Sequence, residues 1–156
     1  RKYNEFTGSA EYISGESITI FVKKSTSKTE IILSLLHELG HHLDWTENKS
    51  IDKDTAKALD ILVNGPMVGS RNDIPKRLRK KILQTEKNGI KYMSKIHKTL
   101  KLEIPFYKVR LQQFSDLYDY ECLYEKARFP TNKEYYHNVH KKVNSFKRKY
   151  GKRHYI

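Results

Sequence analysis

Ile31-Ile32-Leu33-Ser34-Leu35-Leu36-His37-Glu38-Leu39-Gly40-His41 is the stretch whose reading decides the fold and the chemistry of this chain. Its apolar run predicts a helix. At 3.6 residues per turn, positions 37 and 41 stand one above the other, so two imidazoles can address a single metal ion. Glu38 projects about 100° around the helix from His37. From there its carboxylate can reach a water on that ion and take its proton. The pentapeptide thus supplies two ligands and one base.

The helix has a start signal, because Ser27 with Glu30 three residues later forms a capping-box pattern after the polar stretch Lys23 to Lys28. Ile32, Leu35, Leu36, Leu39 and Leu43 recur at helical spacing, which predicts a buried stripe with His37 and His41 at its edge, half facing a cleft. Gly40 between the histidines costs about 1 kcal/mol relative to alanine, a sign of close packing there. His42 lies off the ligand face and reads as a hydrogen-bonding or surface residue. Upstream, Ala10-Glu11-Tyr12-Ile13 and Ile18-Thr19-Ile20-Phe21-Val22 flank a polar turn, Ser14-Gly15-Glu16-Ser17, and read as a hairpin.

Leu35 to Trp45 resembles the active-site helix of zincin metallopeptidases. It is most similar to the H-E-L-G-H helices of lethal-factor-like and phage or mobile-element (ImmA/IrrE-like) peptidase domains, over roughly residues 10 to 45. The resemblance implies an α+β, zincin-like fold: a small N-terminal β-hairpin or sheet packed on the H-E-x-x-H helix, then a mainly helical C-terminal part. It implies a gluzincin-type zinc metallopeptidase acting on a peptide or protein substrate, with Zn²⁺ held by His37 and His41 and with Glu38 as general base. It also implies a strand whose edge holds an extended substrate by backbone hydrogen bonds.

Catalytic zinc takes three protein ligands and keeps one position open, so a third group is needed. Glu47 occupies the last position of an extended H-E-x-x-H-x-x-G-x-x-H pattern, but Asp44 stands where that pattern needs glycine. The segment Val109 to Arg128 is the better source: Phe114, Leu117, Tyr118, Glu121 and Glu125 share one face, and a carboxylate on an apolar stripe is costly unless paired or bound to metal. Glu121 is the expected ligand and Glu125 the alternative. The family's oxyanion-stabilising tyrosine, seven residues before the glutamate, matches Tyr118 for Glu125, whereas Phe114 takes that place for Glu121. Asp116 and Asp119 fall on other faces, with Asp116 still open as a ligand. The family's shorter gap to its glutamate leaves a catalytically inactive member as the second reading.

The chain has 156 residues, enough for one domain with a real core. No apolar run approaches the roughly 20 residues of a membrane span. The single cysteine, Cys122, excludes an internal disulfide framework. A cytoplasmic or virion-associated location is the expectation. Ser50 to Leu62 reads as a short helix ended at Asn64-Gly65-Pro66, with a loop from Met67 to Ile74. Pro75 opens a long basic helix, Lys76 to about Leu100, interrupted near Asn88-Gly89. That segment reads as an insertion, at about 66–104, within a single domain over 1–156. A last helix begins near Lys133, where His137 and His140 read as surface residues.

Lys and Arg number 31 against 18 Asp and Glu, a net charge of +13. The cations gather between Lys76 and Lys98 and between Lys141 and Arg153. Such clusters favour polyanions such as nucleic acid, and without a base-reading motif any contact is with the backbone and salt-sensitive. The second reading is therefore a basic virion-structural or nucleic-acid-binding module without turnover.

Overall fold

In the computed structural model, residues 9–13, 17–21, 26–48, 52–64 and 74–151 are described. Two strands, β1 (Ser9–Ile13) and β2 (Ser17–Phe21), precede five helices: α1 (Lys28–Asn48), α2 (Lys53–Asn64), α3 (Lys76–Leu100), α4 (Phe106–Lys126) and α5 (Asn132–Tyr150). The strands pair antiparallel with Ala10 opposite Ile20, and they lie against α1. The expectation of an α+β zincin is overturned. The chain is mainly helical, and the hairpin is the only strand pairing among the described residues. The physical reason is that the described segments from residue 28 onward form helices, and α1 to α4 bury apolar residues against one another, which leaves no further strand among the described residues to widen the hairpin. The turn Ser14-Gly15-Glu16, the breaker Gly65-Pro66, the loop from Met67 and the tail Lys152-Arg153 lie outside the described residues.

Helix ends follow their sequence signals. Glu30 N–H donates to Ser27 Oγ at 3.3 Å while Ser27 N–H donates to the Glu30 carboxylate at 2.7 Å, a reciprocal capping box. Asp52 accepts from the Thr55 N–H at 2.8 Å and so caps α2. Pro75 and Pro105 sit at the N-caps of α3 and α4, where a missing N–H costs nothing. Thr131 and Glu134 form a second capping box that starts α5.

α3 is the central helix. It packs against α1, α2 and α4, and it runs unbroken through Asn88 and Gly89, where an interruption is expected from sequence. Two apolar clusters are stacked along it. One joins Ala58, Leu62, Ile74, Ile82 and Leu123; the other joins Leu33, Leu36, Met93, Ile104, Phe106 and Val109. Between Ile82 and Met93 on the same buried stripe stand Glu86 and Gly89. A layer of polar groups is therefore held between two apolar ones. Among the described residues, no helix is long and apolar enough to cross a membrane.

Candidate metal centre

α1 turns inward the face that carries Leu33, Leu36, Gly40 and Asp44. His37 and His41 lie on this same 33/36/37/40/41/44 face, so they point at α3 and not along the edge of a stripe. Ile32, expected in the core, is 37% exposed. Close approach of the two helices explains the glycines. A Cβ on Gly40 would lie 2.2 Å from the carbonyl oxygen of Gly89, and a Cβ on Gly89 would lie 2.7 to 3.1 Å from three atoms of the His41 ring. Asn88 on α3 donates to Asp44 at 3.3 Å, fixing the register one turn beyond His41.

At this crossing Glu86 meets both histidines. Its Oε2 lies 3.4 Å from His37 Nε2 and 3.4 Å from His41 Nε2, and the two nitrogens are 3.0 Å apart. A tetrahedral ion with ligand bonds of about 2.0–2.1 Å requires ligand atoms about 3.3 Å apart. The three edges match that requirement. His37, His41 and Glu86 are also the one group of His, Cys, Asp and Glu side chains among the described residues whose ligand atoms converge in this way. Glu86 Oε2 is buried with no hydrogen-bond partner, as are His37 Nδ1, Asp116 Oδ2 and Asp119 Oδ1 around it. Buried polar atoms are nearly always satisfied, and a cation between these three ligand atoms would satisfy Glu86 Oε2. The residues fit a zinc ion.

Groups behind the ligands orient them. His37 Nδ1 lies 3.2 Å from Asp116 Oδ2, and Gln112 Nε2 donates to Asp116 Oδ1 at 2.8 Å. Tyr120 lies beside Glu86, whose charge holds the phenol pKa well above its usual range. These are the carboxylate and hydroxyl supports that fix ligand orientation in metal sites. Gln112 also lines a groove of about 360 Å³ between α1, α4 and α5, with Leu33, Leu111 and Tyr135 among its walls.

The electrostatics reflect crowding of acids in a polar layer enclosed by apolar ones. Burial works against the charged form of His37, but Asp116 and Glu86 outweigh it and hold its pKa well above the usual imidazole range. Burial pushes the Glu86 carboxyl up, and the two imidazoles overcome this and hold it far below the usual carboxylate range. Glu38 is buried beside them, and desolvation raises its pKa despite the attraction of His37 and His41. Asp119 is pushed up to about 7 by burial, with the Asp116 and Glu86 charges adding to the effect.

The residues expected on α4 are distributed differently. α4 turns Val109, Gln113, Asp116, Tyr120 and Leu123 toward α3, with Gln113 donating to Ile90 O at 3.2 Å and to Ser94 Oγ at 2.6 Å. Glu121 and Glu125, one position further round, are exposed. Tyr118 faces α5: its ring stacks on Phe114 at 6.2 Å and its hydroxyl accepts from Asn138 at 2.8 Å. Glu47 is exposed and accepts from Tyr92 on α3. Asp116 does reach the site, against the far nitrogen of His37. His137 contacts Lys141 Nζ at 2.8 Å and His140 stacks on Tyr136 at 4.8 Å, both on the outer face of α5.

Glu86 carried a signal in the sequence. Ile82, Glu86, Gly89, Met93 and His97 recur at intervals of four, three, four and four residues, so Glu86 sits on an apolar stripe, the same argument that singles out Glu121. Reading the segment as a solvated basic insertion with a break at Gly89 conceals it.

No family model matches the chain, and it matches neither curated proteins nor solved structures.

Proposed function

We propose that this chain is a zinc-dependent peptidase in which His37, His41 and Glu86 hold the ion and Glu38 is the general base. The observation that carries the reading is the triangle of donor atoms, with edges of 3.0, 3.4 and 3.4 Å, set beside a buried carboxylate on the same helix. A zinc ion bound there lowers the pKa of water and polarises a carbonyl oxygen.

The chain's own residues supply the rest. Glu38 follows His37 on α1 and is buried, which raises its proton affinity above that of a free carboxylate. It takes the proton of the attacking water and delivers it to the leaving amine. Asp116 steadies His37, Gln112 steadies Asp116, and Tyr120 steadies Glu86. Gln112, which supports Asp116, also lines the groove with Leu33 and Leu111.

The test pairs metal analysis with peptide hydrolysis. Wild-type protein is expected to bind one zinc per chain and to cleave an unstructured peptide library. Glu38→Gln keeps the zinc and loses cleavage, whereas His41→Ala loses both. Full hydrolysis by Glu38→Gln, or no zinc on the wild-type chain, would overturn the proposal.

A further inference from the structure

The inner face of α3 carries Glu86, and its outer face is a row of cations. Arg77, Lys80, Gln84, Lys87, Lys91, Lys95 and Lys98 are all exposed. At about 100° per residue they fall within about 80° of arc, nearly opposite the buried stripe of Ile82, Glu86, Gly89 and Met93. Six of the seven are basic and none is acidic. The row is roughly 30 Å long at 1.5 Å per residue. Lysines four apart on one helix face repel one another, so such a row is unfavourable for the helix alone.

The molecule neutralises very little of it. Arg77 lies 3.8 Å from Asp54, both well exposed, and Lys95 stands over the Tyr92 ring at 5.6 Å. Lys80, Lys87, Lys91 and Lys98 make no ion pair or ring contact among the described residues. The basic residues of α5 behave differently. Lys142 lies over Phe114, Lys147 over Tyr107 and Lys149 over Tyr150, while Lys141 contacts His137. Four cations of α5 are used within the fold in this way, whereas in the α3 row only Arg77 and Lys95 are, among the described residues.

We propose that this outer face of α3 binds the phosphodiester backbone of nucleic acid, independently of sequence. A straight row of evenly spaced positive charges complements a linear polyanion of regular charge spacing. A membrane surface is a poorer match, because interfacial helices insert an apolar face and that of α3 is enclosed in the core through Ile82 and Met93. The binding does not depend on the metal reading.

The experiment measures anisotropy of a fluorescein-labelled 20-base-pair duplex across a salt series. If all six cations contact phosphates, wild-type affinity falls about 10³-fold between 50 and 200 mM salt, irrespective of duplex sequence. The variant Lys80→Gln/Lys91→Gln/Lys98→Gln, all at exposed positions, falls about 40-fold over the same range and binds more weakly at low salt. Lys142→Gln/Lys149→Gln keeps the wild-type slope, and so does His41→Ala, which separates this binding from the metal centre. No duplex binding at low salt overturns the proposal. So does an unchanged slope in the α3 variant, a reduced slope in the α5 variant, or lysine-dependent binding only to phosphatidylserine vesicles.

Discussion

Replacing Gly40 by alanine tests the crossing on which the whole site depends. The new Cβ would stand 2.2 Å from the Gly89 carbonyl oxygen, 3.0 Å from its carbon and 3.2 Å from the Met93 nitrogen. Ordinary carbon–oxygen contact begins near about 3.3 Å, so α1 and α3 must part by about 1 Å at this point. The obstructing atoms are backbone and cannot rotate aside. Overpacking of this kind costs about 1–3 kcal/mol, and the gain in helix propensity offsets about 1 kcal/mol. A net loss of up to about 2 kcal/mol is expected, read as a lowered urea midpoint. Parting the helices also lengthens the 3.4 Å separation of His41 from Glu86, so zinc affinity should fall about 10–100-fold, the range typical of disturbed ligand support. Gly89→Ala provides the contrast. The three atoms nearest its Cβ all belong to the movable His41 ring, so it should cost less stability and as much or more zinc affinity. A Gly40→Ala protein as stable as wild type, with unchanged zinc affinity, would refute the close crossing.

Three further outcomes are expected. Glu86→Gln should lower zinc occupancy measured by plasma emission, while Glu121→Gln, at an exposed position, should leave it unchanged. In metal-free protein the raised pKa of Asp119 means that the folded state favours its protonated form. That contribution is complete below the unfolded value near 3.8 and is lost as pH rises through about 7. Stability should then fall between about pH 4 and 7, by at most about 4 kcal/mol, and Asp119→Asn should flatten the profile; an equally steep profile in that variant argues against the assignment. Tyr118→Phe should leave zinc binding unaltered and Tyr120→Phe should weaken it, because Tyr120 lies beside Glu86 whereas Tyr118 faces Asn138 on α5.

Sequence patterns identify the helices better than they identify which way each one faces. The caps at Ser27, Pro75 and Pro105 and the ends near Leu62 and Leu100 are local signals, and the helices follow them. His37, Glu38 and His41 come together because a helix alone sets their spacing. The rotation of α4 is decided by its neighbours: Tyr118 and Phe114 find α5, leaving Asp116 and Tyr120 for α3, and no periodicity within residues 106–126 reports that choice. The α+β expectation fails for a related reason. A two-stranded hairpin needs further strands or a helix to cover it, and here α1 covers it.

Glu86 approaches the histidines from a helix separated from them in sequence by all of α2. An ion gripped by all three side chains would act as a rivet between α1 and α3, joining distant parts of the chain much as a crosslink does. Withdrawing it with a chelator leaves Glu38, Glu86, Asp116 and Asp119 crowded around the imidazoles of His37 and His41 as their nearest countercharge, so the same treatment that silences any chemistry should also soften the middle of the bundle first.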